Sequence, residues 1–309
     1  MSHHRIPLIL AGAIALALSA SSCTAASEAA PQNPAGASGR APGSPAVPAN
    51  DTARGLLPEN YRSAGVLRVA SDPTYAPFEY FDTDNKTMIG WDVDFTDAVG
   101  AALGLKVEHV AASFDTILPG LASGKYDMAA SFFSVTPERE KIVDFVQYIS
   151  SGSGVAVLAG NPKRITMDFL TMCGKTLGAQ KGSIQAMEVL PAFSAKCIEA
   201  GNAAVDIQSF PGQSDANLAL VSGRVDGVVA DSVTLSYQGK HANDKFVLAE
   251  GNDYNPEPIG LALNKGSGLK AAVTEAVREV LKSGHYPEIS EKWGVPASVL
   301  VTADVLAQK

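Results

Sequence analysis

From Val66 onward, short apolar runs alternate with helical patterns, and this rhythm constrains the fold more than any other feature of the chain. Residues 66–70 read as a strand, and 91–103 as a helix with Phe95, Val99, Ala102 and Leu103 on one face, ended by Gly104. Residues 106–111 return as a strand, 116–123 as a short helix before Gly124, and 128–132 as the next strand. The pattern restarts beyond Ser153, with strands at 155–159, 176–179, 205–209, 227–230 and 259–263. Helices are predicted between them at 183–190 and 214–222, then at 268–283 and 286–293. Repeated strand–helix alternation predicts α/β architecture, with parallel sheets covered by helices. In such sheets small molecules bind beyond the carboxyl ends of strands. Three segments place polar groups there: Asp72 to Tyr75, Ser131 to Arg139, and Asp231 with Ser232.

The first 55 residues belong to a different regime. Arg5 precedes an uncharged apolar stretch over residues 6–18, shorter than the ~20 residues a spanning helix needs. Ala20, Ser21 and Ser22 then lead into Cys23, so residues 1–22 read as an export signal and the run before Cys23 resembles a lipobox. The expected modification is a lipid on Cys23; a simple cleaved signal is the alternative. Residues 23–55, rich in Ala, Pro, Ser and Gly, then form a disordered tether holding a folded body off a membrane. Cys173 and Cys197 remain in an oxidising compartment. One disulfide is expected, with two buried thiols as the alternative.

Several function classes are excluded. The 309 residues carry a formal net charge of −8, so the chain has no electrostatic footprint for a nucleic acid. No dinucleotide or phosphate-binding glycine loop and no His-Glu-x-x-His or Gly-x-Ser-x-Gly occurs. His109, His241 and His285 lack metal-ligand spacing, so neither a metal nor a cofactor is expected.

Seven segments carry a family resemblance. Tyr75-Ala-Pro-Phe-Glu-Tyr80, Gly90-Trp-Asp-Val-Asp-Phe95, Phe114-Asp-Thr-Ile-Leu-Pro-Gly-Leu121 and Ser134-Val-Thr-Pro-Glu-Arg-Glu-Lys141 occur in this order. Gln180-Lys-Gly-Ser183, Gly227-Val-Val-Ala-Asp231 and Lys292-Trp-Gly294 follow. Over residues 66–294 the chain resembles the polar amino-acid-binding group of the bacterial extracellular solute-binding proteins, family 3, the receptors of ATP-driven importers. The resemblance implies a two-lobed periplasmic-binding-protein fold of type II with two hinge strands. Lobe 1 would be discontinuous, 56–151 plus 254–309, and lobe 2 would be 152–253. The implied partners are an amino acid held between the lobes and an ABC permease in the membrane, with the protein itself a monomer.

The resemblance also implies roles. Arg139 matches the family's carboxylate-binding arginine, whose planar fork grips both oxygens; pairing with Glu138 or Glu140 is the alternative. Asp231 matches the ammonium-binding aspartate, and could also cap the helix after it. Ser131 and Ser134 match hydrogen-bonding positions of the first lobe, while Phe132 could offer only its backbone N–H. Gly182 and Ser183 open a helix suited to a carboxylate, although Ile184 stands where many relatives carry Thr. Tyr75 and Phe114 match the aromatic walls around the ligand side chain, with core packing the alternative. Asp72 matches a position that reads the side-chain head, which leans the ligand toward a basic or amide side chain. Glu79 is expected to be solvated. The competing functions are a cleft enzyme like cyclohexadienyl dehydratase, which would need a raised-pKa carboxylic acid aimed at the cleft, and a ligand-sensing receptor subunit.

Overall fold

The computed structural model describes residues 47–251 and 253–307. The expected export signal, Cys23 and most of the expected tether lie outside the described residues. Nine strands form the main sheet: β1 (Val66–Ser71), β2 (Lys106–Ala111), β3 (Met128–Ala129), β4 (Val143–Leu158), β5 (Thr176–Gln180), β6 (Asp206–Phe210), β7 (Gly227–Asp231), β8 (Phe246–Leu248) and β9 (Tyr254–Asn264). The first lobe has the order β2-β1-β3-β9-β4, parallel from β2 to β3 and antiparallel across β9. In the second, β6, β5 and β7 run parallel, and β4 pairs antiparallel with β7 and β8.

β4 and β9 are the two strands common to both lobes, paired over most of their length. The buried cores change over along them. Tyr148 and Ile149 of β4 and Ile259 of β9 pack with Trp91 and Phe95, whereas Val155 and Val157 pack with Ile165, Leu177 and Phe193. The sequence predicted a strand only at 155–159. The small residues from Ser150 to Gly154 hid the continuity of β4, which is 16 residues long.

The helices follow their apolar stripes. In α7 (Leu269–Lys282), Leu269, Ala272, Val273, Ala276, Val277, Val280 and Leu281 are buried, a repeat of three and four that lays one face on the first lobe. The helix over Trp91–Leu103, α1, ends on left-handed Gly104 as its sequence requires. Around it the layer is completed by α2 (Phe114–Ala122), α3 (Pro137–Glu140) and, at the end of the chain, α8 (His285–Trp293). In the second lobe lie α4 (Leu190–Glu199), α5 (Gln213–Val221) and α6 (Ser232–His241).

Three expectations are corrected. The tether does not extend to residue 55: a helical turn at Asp51–Gly55 packs on the first lobe, with Val47, Ala53 and Leu57 in its core. The backbone N–H of Asn50 donates to Ala102 O at 2.8 Å, which fixes the point where the chain joins the fold. The strand predicted at 128–132 is only Met128–Ala129, because Phe132 takes φ +51° and leaves the strand path. The helix predicted at 183–190 is a π-helical turn, Gln185–Val189, running into α4. Cys173 and Cys197 form the expected disulfide. Among the described residues no helix is long and apolar enough to cross a membrane.

Candidate functional site

The carboxyl ends of β1, β5 and β7 converge between the lobes, and the chemistry-bearing residues follow those ends. Arg139 lies on α3, a short helix set by Thr136 as its cap and Pro137 in its first turn. Its Nη1 donates to Ser134 O at 2.8 Å, and its Nη2 reaches the other lobe to donate to Gly182 O at 3.0 Å. The guanidinium carbon sits 5.8 and 5.4 Å from the ring centroids of Phe114 and Phe133, themselves stacked at 4.5 Å. Glu138 pairs with Lys141 instead, so the surface-pair alternative for Arg139 is not what the fold adopts. Burial lowers the Arg139 pKa, opposed by the charges of Glu188, Asp231 and Glu257. No carboxylate pairs directly with it among the described residues, so the fork is a half-buried cation held by carbonyls.

Asp231 ends β7. It has the backbone geometry of an N-cap for α6 but makes no side-chain cap bond. Its Oδ2 instead accepts from Tyr75 Oη at 2.5 Å, across the cleft. Burial pushes its carboxyl up to about 7, against the lowering effect of the Tyr75 bond and the Arg139 charge.

Both groups face one nearly closed cavity of about 10 Å³, room for a single water, so the lobes must part to admit a ligand. Of the eleven residues nominated from sequence, Tyr75, Phe114, Ser131, Phe132, Ser134, Arg139, Ser183, Ile184 and Asp231 line it. Gly182 does not line it, but its carbonyl accepts from Arg139. Its left-handed backbone also allows a close approach: a Cβ there would stand 3.0 Å from the Asp115 Cβ of the opposite lobe. Asp72 stands behind the wall. Its carboxylate accepts from Phe114 N at 2.8 Å, so it caps α2, where Ser113 provides no side-chain cap. It also accepts from Thr74 Oγ1 at 2.7 Å and from Gln180 Nε2 at 3.2 Å. Burial raises its pKa, and the bond from Thr74 offsets part of that rise.

Three donors nominated for a ligand point elsewhere in this closed arrangement. Ser131 Oγ donates to Glu79 Oε1 at 2.7 Å and accepts from Asp72 N at 3.0 Å. The Phe132 N–H goes to Asp92 Oδ2 at 3.3 Å. The Ser183 N–H goes to Gln180 O at 3.2 Å, within the turn. Phe132 packs its ring 4.0 Å from Phe78 and 5.9 Å from Tyr75, extending the aromatic wall.

Sequence reasoning missed four residues. Gln180 and Gln185 line the cavity. Gln180 ends β5, so the strand-end rule that selected Asp72 and Asp231 also selects it. Glu79 is fully buried rather than solvated, and Asp92 is buried beside it. Asp92 shares the apolar helical face of Phe95 and Val99 at spacings of three and seven, which was its available signal.

Comparison with known proteins adds to this geometry. The family described as bacterial extracellular solute-binding proteins, family 3, matches residues 67–296. The arginine-binding protein ArgT of Corynebacterium glutamicum is 27% identical over 245 residues, 79% of each chain. An ancestral arginine-binding protein bound to arginine superposes with a TM-score of 0.66 at 34% identity, covering 74% of this chain and 98% of its own. AncCDT-1, an ancestral amino acid-binding protein and a precursor of cyclohexadienyl dehydratase, gives 0.67 at 31% identity, covering 76% and 98%.

Proposed function

Because the chain belongs to the bacterial extracellular solute-binding proteins, family 3, we propose that it captures a free amino acid with a cationic or amide side chain and hands it to an ABC permease. One observation carries the site assignment: a half-buried cation from one lobe and a buried acid from the other, Arg139 and Asp231, face the same small cavity. The ligand carboxylate takes the free edge of the Arg139 fork, and the ammonium displaces Tyr75 from Asp231. The two charges of the ligand thereby bridge the lobes, so the closed state binds more tightly than the open one, as closure requires. Tyr75 and Phe114 flank the side chain. The lobes divide near residues 151 and 254, where β4 and β9 cross between the cores. A cationic head is favoured by the Asp72 carboxylate behind the first-lobe wall, and the relative ArgT is an arginine-binding protein. A lipid on Cys23 and the tether after it keep the monomeric body near the permease.

The test is a thermal-shift screen of the twenty amino acids. A ligand at about 100 times its Kd adds about 2.7 kcal/mol to stability, and Arg139→Ala abolishes the shift. No shift with any amino acid would refute the proposal. A second reading, a cleft enzyme, draws on the likeness to AncCDT-1 and on the raised carboxyl of Asp231 in the cavity. It predicts turnover of the hit, visible by product analysis.

A further inference from the structure

Beneath the cavity lies a pair of acids that ligand capture does not directly use. Glu79 follows Phe78 in a short hairpin, and Asp92 sits in the first turn of α1. They are brought together by Gly90, at φ +138°, where a Cβ would fall 2.1 Å from Phe78 O. Only a residue without a side chain lets the helix start this close to the hairpin. Glu79 is 0% exposed and Asp92 1%.

The donors around them are already assigned. Tyr148 Oη reaches both Asp92 oxygens at 2.9 and 2.8 Å, and Phe132 N reaches Oδ2. Ser131 Oγ serves Glu79 Oε1. Among the described residues Glu79 Oε2 has no donor, although it is fully buried. The other titratable or charged groups facing the pair are Asp72, from the end of β1, and Tyr148, from β4; neither is a cation. Two adjacent carboxylates without a cation repel at large cost, and one proton between them removes both the repulsion and the orphaned oxygen. Burial and the mutual charge push Glu79 upward, and burial pushes Asp92 the same way.

We propose that Glu79 and Asp92 hold a single proton between them and act as positioning residues for the ligand shelf formed by Ser131 and Phe132. The shelf needs such a support. Phe132 has φ +51°, a conformation that a bulky residue keeps only where its surroundings over-determine it. Its N–H is held by Asp92, and the hydroxyl of the preceding Ser131 is held by Glu79. The proton keeps both acceptors in place without opening a net dianion under the cleft. The shelf's role in binding rests on the proposed function; the shared proton does not.

The test uses the full chain with Glu79→Gln and Glu79→Leu. Unliganded Tm and the Kd for L-arginine are measured from about pH 5.5 to 9. The glutamine supplies a permanent N–H toward Asp92 and keeps an acceptor for Ser131. The folded wild type holds a proton that the unfolded chain releases above its ordinary carboxylate pKa, so its stability from this pair falls as pH rises. The Tm of Glu79→Gln relative to wild type therefore climbs with pH, and Asp231, present in both, cancels from the difference. A difference that is flat with pH overturns the shared proton. Glu79→Gln binds L-arginine within threefold of wild type at pH 7, whereas Glu79→Leu, which retains burial but no acceptor, binds at least tenfold more weakly. Equal binding by Glu79→Leu overturns the positioning role. The Tm difference needs no ligand, so a wild-type chain that binds no amino acid overturns the site assignment and leaves the pair to be decided by stability alone.

Discussion

Lowering the pH from about 8 to about 5.5 is expected to weaken amino-acid binding about 30-fold through Asp231. In the closed cleft its carboxyl is pushed up to about 7 by burial. A ligand ammonium needs the ionised form, so binding competes with protonation. The apparent Kd scales as one plus the ratio of proton concentration to the acid constant, which at pH 5.5 is roughly 30 and at pH 8 close to one. The shift is about 2 kcal/mol in binding free energy. The sign follows from the raised acid: affinity climbs with pH and levels off above about 7. Isothermal titration with L-arginine at several pH values in matched ionic strength measures it. Asp231→Asn should bind weakly with no such slope. A wild-type Kd that stays flat between pH 5.5 and 8 would refute the reasoning, because Asp231 would then be either solvated before binding or not the ammonium partner.

Other consequences concern the scaffold and the specificity wall. Replacing Cys173 and Cys197 with Ser opens a loop spanning 24 positions and is expected to cost about 3 kcal/mol, read as a lower denaturant midpoint; an unchanged midpoint contradicts it. Leu57→Ala should cost about 3 kcal/mol, since Leu57 is 4% exposed in the first-lobe core; a loss below about 0.5 kcal/mol would show that the N-terminal segment is not part of that core. Gln180→Leu removes one donor from Asp72 and should raise the ratio of arginine to glutamine affinity about fivefold, the equivalent of one hydrogen bond; competition titration gives the ratio, and no change would exclude Asp72 from reading the side chain.

Much of this architecture is legible in the sequence because its signals are local. The apolar face of α1 and the glycine after it specify that helix, and the buried stripe of α7 does the same. The strand ends that present Asp72 and Asp231 follow from βα alternation, and the chemical roles given to them and to Arg139 came from the family resemblance. What escaped depends on distant partners. β4 looked interrupted because its small residues are buried by the antiparallel pairing with β7 and β9, which no local window contains. Glu79 looked solvated because a charged residue usually is; its burial comes from a helix that Gly90 lets approach. Asp72 was expected to read a ligand side chain, and its carboxylate also caps α2, a helix 42 positions along the chain, a second duty no local window contains. The turn at Gln185–Val189 departs from the predicted helix by a change of hydrogen-bond register, for which the local apolar pattern carries no signal.

The central claim is that Arg139 and Asp231 clasp the two charged ends of one small molecule from opposite lobes. Its most direct test is the affinity ratio between L-arginine and its decarboxylated analogue, measured for wild type and Arg139→Ala. The account predicts a preference of at least 100-fold for L-arginine in the wild type and a ratio near one in Arg139→Ala, whereas a ratio that survives the substitution would contradict it.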